Sequence, residues 1–306
     1  MLGLVKIVDS GPLSAALMAA GLFVFGIALQ TMAPAASMLS LLMYVFSTSV
    51  VCFVVLRRGE SAVLHVLAMA FVALFVVSIV VLKAGLILPL SAFVFWVAGI
   101  VVAVVLRRTV DLSISTLAAA ACGALAFAGV MLFAPDLAEQ WIKVVKTSLE
   151  SMSAADKARF PVGQLEKITN SFARMLPSAI GLSVMLVAVG SVYIARWWQA
   201  SIVNPGGFQK EFHGLRYGRF IALGGLGLIA IAISVGGANG IALASLVIVC
   251  FFIQGLSVAH ALVKQRGMSQ AWLVGIYLLM ILPQTILLLG ALGMSDNIYS
   301  LRKTTE

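Results

Sequence analysis

The chain predicts an all-α fold: a polytopic transmembrane helix bundle of about nine spans, at roughly 20 residues per crossing, with an extracytoplasmic amphipathic helical segment. Three observations carry this. The 306 residues are 62% hydrophobic and 10% charged, with a mean hydropathy of +1.12, whereas soluble domains carry roughly 25% charged residues. Apolar runs long enough to cross a bilayer recur from one end to the other. The bases sit in pairs at the ends of those runs, as cytoplasmic loops require. The net charge of +9 therefore reports topology. The partner it implies is the lipid bilayer, and not nucleic acid.

Runs at 11–30, 35–56, 62–82, 86–106, 113–133, 177–198, 219–235, 240–263 and 270–292 read as the spans, and together they make residues 1–306 a single transmembrane domain. In the first, Lys6 and Asp9 precede an apolar run reaching Leu29. That run is longer than the roughly 7–15-residue core of a cleavable signal, so it reads as a retained anchor. Ala15 with Ala19, and Ala16 with Ala20, form small-xxx-small pairs, which let helices approach closely inside the bundle or against another membrane subunit. Only a few residues around Thr31–Pro34 separate spans one and two. Val54-Val55-Leu56-Arg57-Arg58 is echoed by Val104-Val105-Leu106-Arg107-Arg108. The echo reads either as a repeated hairpin or as the basic end of any helix arriving at the cytoplasmic face. Span five is nearly smooth, with Ala118 to Ala121, Gly123, Ala124, Ala126 and Ala128.

Segment 134–176 is the extracytoplasmic insertion between spans five and six. Leu137, Trp141, Val144, Ser148 and Met152 fall at helical spacing, as do Val162, Leu165, Ile168, Phe172 and Met175, and Ser153 with Asp156 resembles an N-cap pair. Two amphipathic surface helices follow, as a structured connector or as a lid over an outward cavity. Span seven is short and rich in glycine (Gly224, Gly225, Gly227), so it reads as tilted, broken or re-entrant. Pro283-Gln284-Thr285 predicts a kink in span nine.

A cytoplasmic N-terminus puts Lys6, Arg57, Arg58, Arg107, Arg108, Arg196, Lys210, Arg216, Arg219, Lys264 and Arg266 inside. The short outer loops then hold only Lys83, and the tail after span nine falls outside. An eight-span version would bring that tail inside. The predicted location is the cell inner (plasma) membrane, multi-pass, with the N-terminus cytoplasmic.

No Walker A, GxSxG, HExxH or CxxC pattern occurs, so no catalytic residue, metal or cofactor is assigned. Cys52, Cys122 and Cys250 lie inside apolar runs and read as small core residues. With His65 near the inner end of span three, the histidines stand on separate elements and make no metal site. Polar groups in hydrocarbon are costly and hence candidates for function. Gln254, Ser257 and His260 form a stripe on span eight, facing Gln284 of span nine. It reads as a ligand- or ion-facing patch, or as interhelical hydrogen bonding. No Asp or Glu stands in the middle of a predicted span, which argues against a carboxylate proton relay. In the loop 199–218, Asn204-Pro205-Gly206-Gly207 signals a turn. Phe208, Phe212 and Leu215 then lie on one side, with Lys210, Glu211, His213 and Arg216 elsewhere. This suits a short interfacial helix, either docking a partner or anchoring at a surface marked by Trp197 and Trp198.

The stretch from Trp197 to Arg216, with Phe252-Ile253-Gln254-Gly255-Leu256 and His260, resembles the YybS-like family of bacterial inner-membrane proteins, a domain of unknown function. The blocks Asn204-Pro205-Gly206-Gly207-Phe208 and Gln254-Gly255-Leu256 carry the resemblance most specifically. That family is distantly similar to the substrate-binding membrane subunits of energy-coupling-factor vitamin transporters. Those subunits bind a small molecule within the bundle and dock on a shared membrane partner through small-residue faces. They have fewer helices than this chain. The resemblance implies a transport-associated, non-enzymatic subunit, with Ala15, Ala16, Ala19 and Ala20 as a docking face and a membrane-protein partner met there or at the 199–218 loop. The alternatives are a non-transporting scaffold for envelope assembly and, third, an intramembrane lipid-acting enzyme with His260 or His213 as base.

Overall fold

The computed structural model describes residues 2–32, 37–83, 85–150 and 162–302, and every regular element among them is a helix. The short α1 (Leu2–Ser10) is followed by α2 (Pro12–Met32), α3 (Ser37–Arg58), α4 (Glu60–Val80), α5 (Ile87–Thr109) and α6 (Leu112–Phe133). After α7 (Leu137–Glu150) come α8 (Val162–Val203), α9 (Gly207–Gly214), α10 (Arg219–Val235), α11 (Gly237–Gln265), α12 (Ala271–Leu279) and α13 (Pro283–Tyr299). Seven of these, α2 to α6 with α8 and α11, are each long and apolar enough to cross a membrane. Helices α9 and α10, bent by 61° at their junction, qualify only as a pair and would make eight. This is the apolar helix bundle of a multi-pass membrane protein.

Helix α3 stands at the centre. Its apolar stretch is 72% buried, against 17% for that of α6, so α6 sits at the periphery with many half-buried and exposed side chains. Phe23, Phe53, Trp96 and Met185 fill the interior without exposure beyond 1%. The outward faces remain Leu-, Ile- and Val-rich, as lipid contact allows.

The N-terminal small-residue face is spent inside the chain. Ala15, Ala16, Ala19 and Ala20 are 0–5% exposed, because α2 packs on α3 and α4. The Ala19 carbonyl accepts from Ser47 Oγ at 2.7 Å, and that hydroxyl accepts from Trp96 Nε1 at 3.0 Å. These alanines are therefore occupied by neighbouring helices of the same chain rather than presented to a partner. Helix α1, too short to register as an apolar run, buries Val5 and Val8 and sets Asp9 against Arg57 and Arg58.

Two expectations about the later helices change. The second amphipathic helix of the insertion is not separate: it is the first third of α8, which runs unbroken through Pro177. Proline removes one backbone donor, a loss that membrane helices tolerate where neighbours supply partners, and the adjacent Ser178 Oγ reaches the Ala238 carbonyl at the start of α11. Met152, Ser153 and Asp156 lie outside the described residues. The ninth predicted span is two helices. Pro283 cannot continue α12 and holds Leu282 extended (φ −89°, ψ 121°), and Thr285 Oγ1 turns back to the Leu279 carbonyl at 2.7 Å. Helix α13 then runs past the predicted limit to Tyr299. It brings Arg302 against the His213 and Leu215 carbonyls at 2.5 and 2.8 Å. The tail up to Arg302 thus shares one end of the bundle with the 199–218 loop, whereas nine crossings would put the two on opposite faces.

Candidate functional site

The basic end of the bundle is tied together by its own cations. Arg107 donates to the Val55 carbonyl at 2.7 Å, Arg108 pairs with Glu60 at 2.7 Å, and Gln199 donates to the Leu56 carbonyl at 3.0 Å. In the loop, Asn204 to Gly207 make a type II turn. The Asn204 carbonyl accepts from Gly207 N–H at 2.9 Å, and Gly206 takes φ 86°, a conformation cheap only for glycine. The turn launches α9, and Arg196 grips both carboxylate oxygens of Glu211 through Nε and Nη2. Phe208 and Phe212 stack and meet Tyr193 edge-on at about 6 Å. The loop forms the short helix that its spacing predicts, docked on the bundle through these rings.

Behind α9 lies a buried polar network. Gln254, 0% exposed, pairs reciprocally with Asn297: its Nε2 donates to Asn297 Oδ1 at 3.1 Å, and Asn297 Nδ2 donates to Gln254 Oε1 at 2.9 Å. Asn297 Oδ1 also accepts from Gly218 N–H at 2.8 Å. The neighbouring Asp296, 1% exposed, accepts from Arg302 at 2.6 Å and from Leu301 N–H at 3.1 Å, with Arg216 Nε at 3.9 Å. Arg302 donates as well to Ser257 Oγ at 3.0 Å, and Ser257 in turn donates to the Phe212 carbonyl at 2.6 Å. Arg216 closes the ring through the Asp296 carbonyl, Ser300 Oγ and, by its own N–H, Ser113 Oγ. One carboxylate thus holds the α9–α10 connector, α11 and the tail.

His213 feels the excess of positive charge there. Burial, then Lys264, His260 and Arg302, push its imidazole down from the ordinary 6.5 to about 4. Its fold carries the neutral ring, so the unfolded chain binds the extra proton between these values. Stability is therefore expected to fall as pH drops from about 6.5 toward 4. Thermal unfolding between pH 7 and pH 5 should show a smaller loss in His213→Asn than in the wild type.

Of the predicted residues, the fold brings Gln254, Ser257 and Arg216 into one network, with Phe212 and His213 contributing their carbonyls. His260 flanks it, its Nε2 at 2.9 Å from Tyr277 Oη and its ring 5.7 Å from that of Phe212. Gln284 is not part of it. That side chain is exposed in the first turn of α13, because the break at Pro283 turns it away from α11. Asp296, buried near the C-terminal end of α13, lies beyond the predicted ninth run and is not a mid-span carboxylate. Sequence reasoning missed Asp296, Asn297 and Arg302. The signal was an Asp-Asn pair still in helical phase with the apolar residues before it.

Three cavities lie away from this network. One is an apolar groove of about 610 Å³ between α6, α10 and α11, lined by Ala120, Ala124, Gly224, Gly225, Leu246 and Phe251 among others. A cavity of about 480 Å³ lies at the loop beside Trp197, Pro205 and Phe208. Another of about 320 Å³ lies at the opposite end, beside Leu137, Arg174 and Gly236. Among the described residues, no group of three His, Cys, Asp or Glu side chains is placed to hold a metal. Comparison with family models, with curated proteins and with solved structures finds no match.

Proposed function

We propose that the protein is a non-enzymatic, transport-associated component of a bacterial inner membrane. Its ligand is an apolar or amphiphilic small molecule that enters from the bilayer between α6, α10 and α11. The observation that carries this is the groove itself. Its volume of about 610 Å³ falls within the roughly 300–1,000 Å³ of small-molecule sites. Small residues of α6 and α10 form its concavity, which accounts for the glycine density of the short α10. The stripe Gln254–Ser257–His260 supports the interhelical reading instead, since its hydrogen bonds close on the same chain. The loop supports an alternative as scaffold, because the concavity beside Trp197 and Phe208 is open to a partner on that face.

The topology that fits is eight crossings, counting α10, with α12 and α13 as a re-entrant pair rather than a ninth crossing. The basic end is cytoplasmic, which puts α1 and Arg302 inside and α7 outside.

Gly224→Phe tests the groove. A Cβ at Gly224 meets nothing within 4 Å, whereas one at Gly225 would come 2.5 Å from the Phe251 ring. The Gly224 variant is expected to fold and to lose lipid or other small molecules that co-purify with the wild type, read by native mass spectrometry. Unchanged co-purification would exclude the groove as the binding site.

A further inference from the structure

At the basic end of the bundle, donors outnumber the acids that could answer them. The His213 ring, near the end of α9, lies 6.1 Å from that of His260 on α11. Lys264 follows His260 by four residues, on the same face of α11. Arg302 joins from the tail, bonded to the His213 carbonyl. The acids nearby are engaged already. Asp296 of α13 accepts from Arg302 and lies 3.9 Å from Arg216, and Glu211 of α9 is paired with Arg196 of α8. Lys264 is exposed and makes no ion pair among the described residues. The His213 ring is half-buried, and no hydrogen bond among those residues reaches either of its nitrogens. His260 meets Tyr277 of α12 through Nε2. Polar groups withdrawn from water are ordinarily bonded, so the imidazole of His213 presents an open position beside a free ammonium.

We propose that His213, His260 and Lys264 form a binding site for a phosphate-type oxyanion, carried by a soluble phosphorylated compound or by a lipid headgroup. Such an anion offers several acceptor oxygens, and charge-assisted bonds from ammonium and imidazolium are the strong ones. Arg302, whose guanidinium is filled by two carbonyls, Ser257 and Asp296, adds only its field. A metal cation is the wrong guest between the two imidazoles, because Lys264 and Arg302 repel it. Binding is coupled to a proton. Burial and the charges of Lys264, His260 and Arg302 hold the free His213 neutral, at about 4. A bound anion offsets those charges and brings the ring back toward 6.5, so the complex takes up a proton and tightens as pH falls below that value. The site shares no lining residue with the apolar groove and stands independently of it.

The test uses the full chain in phosphatidylcholine nanodiscs, with sulfate as probe because it stays divalent where phosphate titrates. At pH 5.5 sulfate is expected to raise the melting temperature saturably, beyond chloride at equal ionic strength. Its dissociation constant should rise roughly tenfold on going to pH 7.5. Lys264→Gln should weaken sulfate binding about tenfold, the loss of one charge-assisted hydrogen bond. His213→Asn should remove most of the pH dependence. Arg219→Gln, an exposed cation at the start of α10, should change neither. Phosphatidylglycerol in the discs separates the two sources: a headgroup competes and lowers the apparent sulfate affinity, whereas a site for a soluble compound is indifferent to it. A sulfate effect no larger than that of chloride overturns the proposal. So does an affinity that Lys264→Gln leaves unchanged, a pH dependence that His213→Asn leaves intact, or an equal loss in Arg219→Gln.

Discussion

Asp296→Ala is expected to destabilise the protein by about 3–5 kcal/mol, the cost of leaving a buried charge without its partner. Asp296 is 1% exposed, and the side chain of Arg302, which it holds at 2.6 Å, is 9% exposed. Removing the carboxylate leaves a guanidinium surrounded by the His213 and Leu215 carbonyls and Ser257. These satisfy its donors without neutralising its charge. Asp296→Asn preserves shape but not charge, so it should fall in the same range. Arg302→Ala should also be costly, because it strands the carboxylate and three acceptors together. The double variant Asp296→Leu/Arg302→Met separates net worth from uncompensated charge. It should lose less than the two single changes summed, with a coupling of about 1–3 kcal/mol, as for residues of one network. Unfolding in a denaturing detergent reads all four. A loss below about 0.5 kcal/mol for Asp296→Ala, the size of an ordinary surface change, would mean that the network does not hold this end of the bundle.

That network also marks where the sequence stops being legible. Hydropathy averages over some 20 residues, so α2 to α6, α10 and α11 could be placed from it. The Asn204–Gly207 turn could be read as well, because proline and glycine act locally. Gln254 was visible as a costly polar group. Its partner was not, since Asn297 lies 43 residues away and only packing sets that pairing. Arg302 was not legible, because the side of the tail follows the parity of the crossings, and Pro283, readable as a kink, leaves that parity open. Whether the two halves of a kinked helix remain one crossing depends on what Thr285 and α11 offer them, and nothing in the neighbouring residues encodes that. The alanine pairs of α2 were legible as a close-packing face, but burial alone could tell own helix from partner.

Gly255→Ala is expected to be the other severe change, although it adds one methyl group. Helices α11 and α13 cross with backbone nearly touching backbone. A Cβ at Gly255 would overlap the Leu289 carbonyl oxygen, and one at Gly293 would overlap the carbonyl oxygen of Phe251. Flexible side chains can move aside from an intruding methyl, but carbonyl oxygens fixed in two helices cannot, so the helices must separate. Overpacking alone costs about 1–3 kcal/mol. Here separation also pulls Asp296 and Asn297 from Gln254, so the loss should reach or exceed the upper end of that range. Gly293→Ala should behave alike, and the double variant should be far from additive, because once the helices part the second methyl meets nothing. Two glycines serve as controls. At Gly290 the nearest atom to an added Cβ is 3.5 Å away, an ordinary contact, and at Gly224 there is open space. There the intrinsic preference of helices for alanine, about 1 kcal/mol, should leave stability unchanged or raised. If Gly255→Ala proved as mild as Gly290→Ala in the same unfolding assay, the two helices would not be in backbone contact. The Gln254–Asn297 pair would then need another explanation.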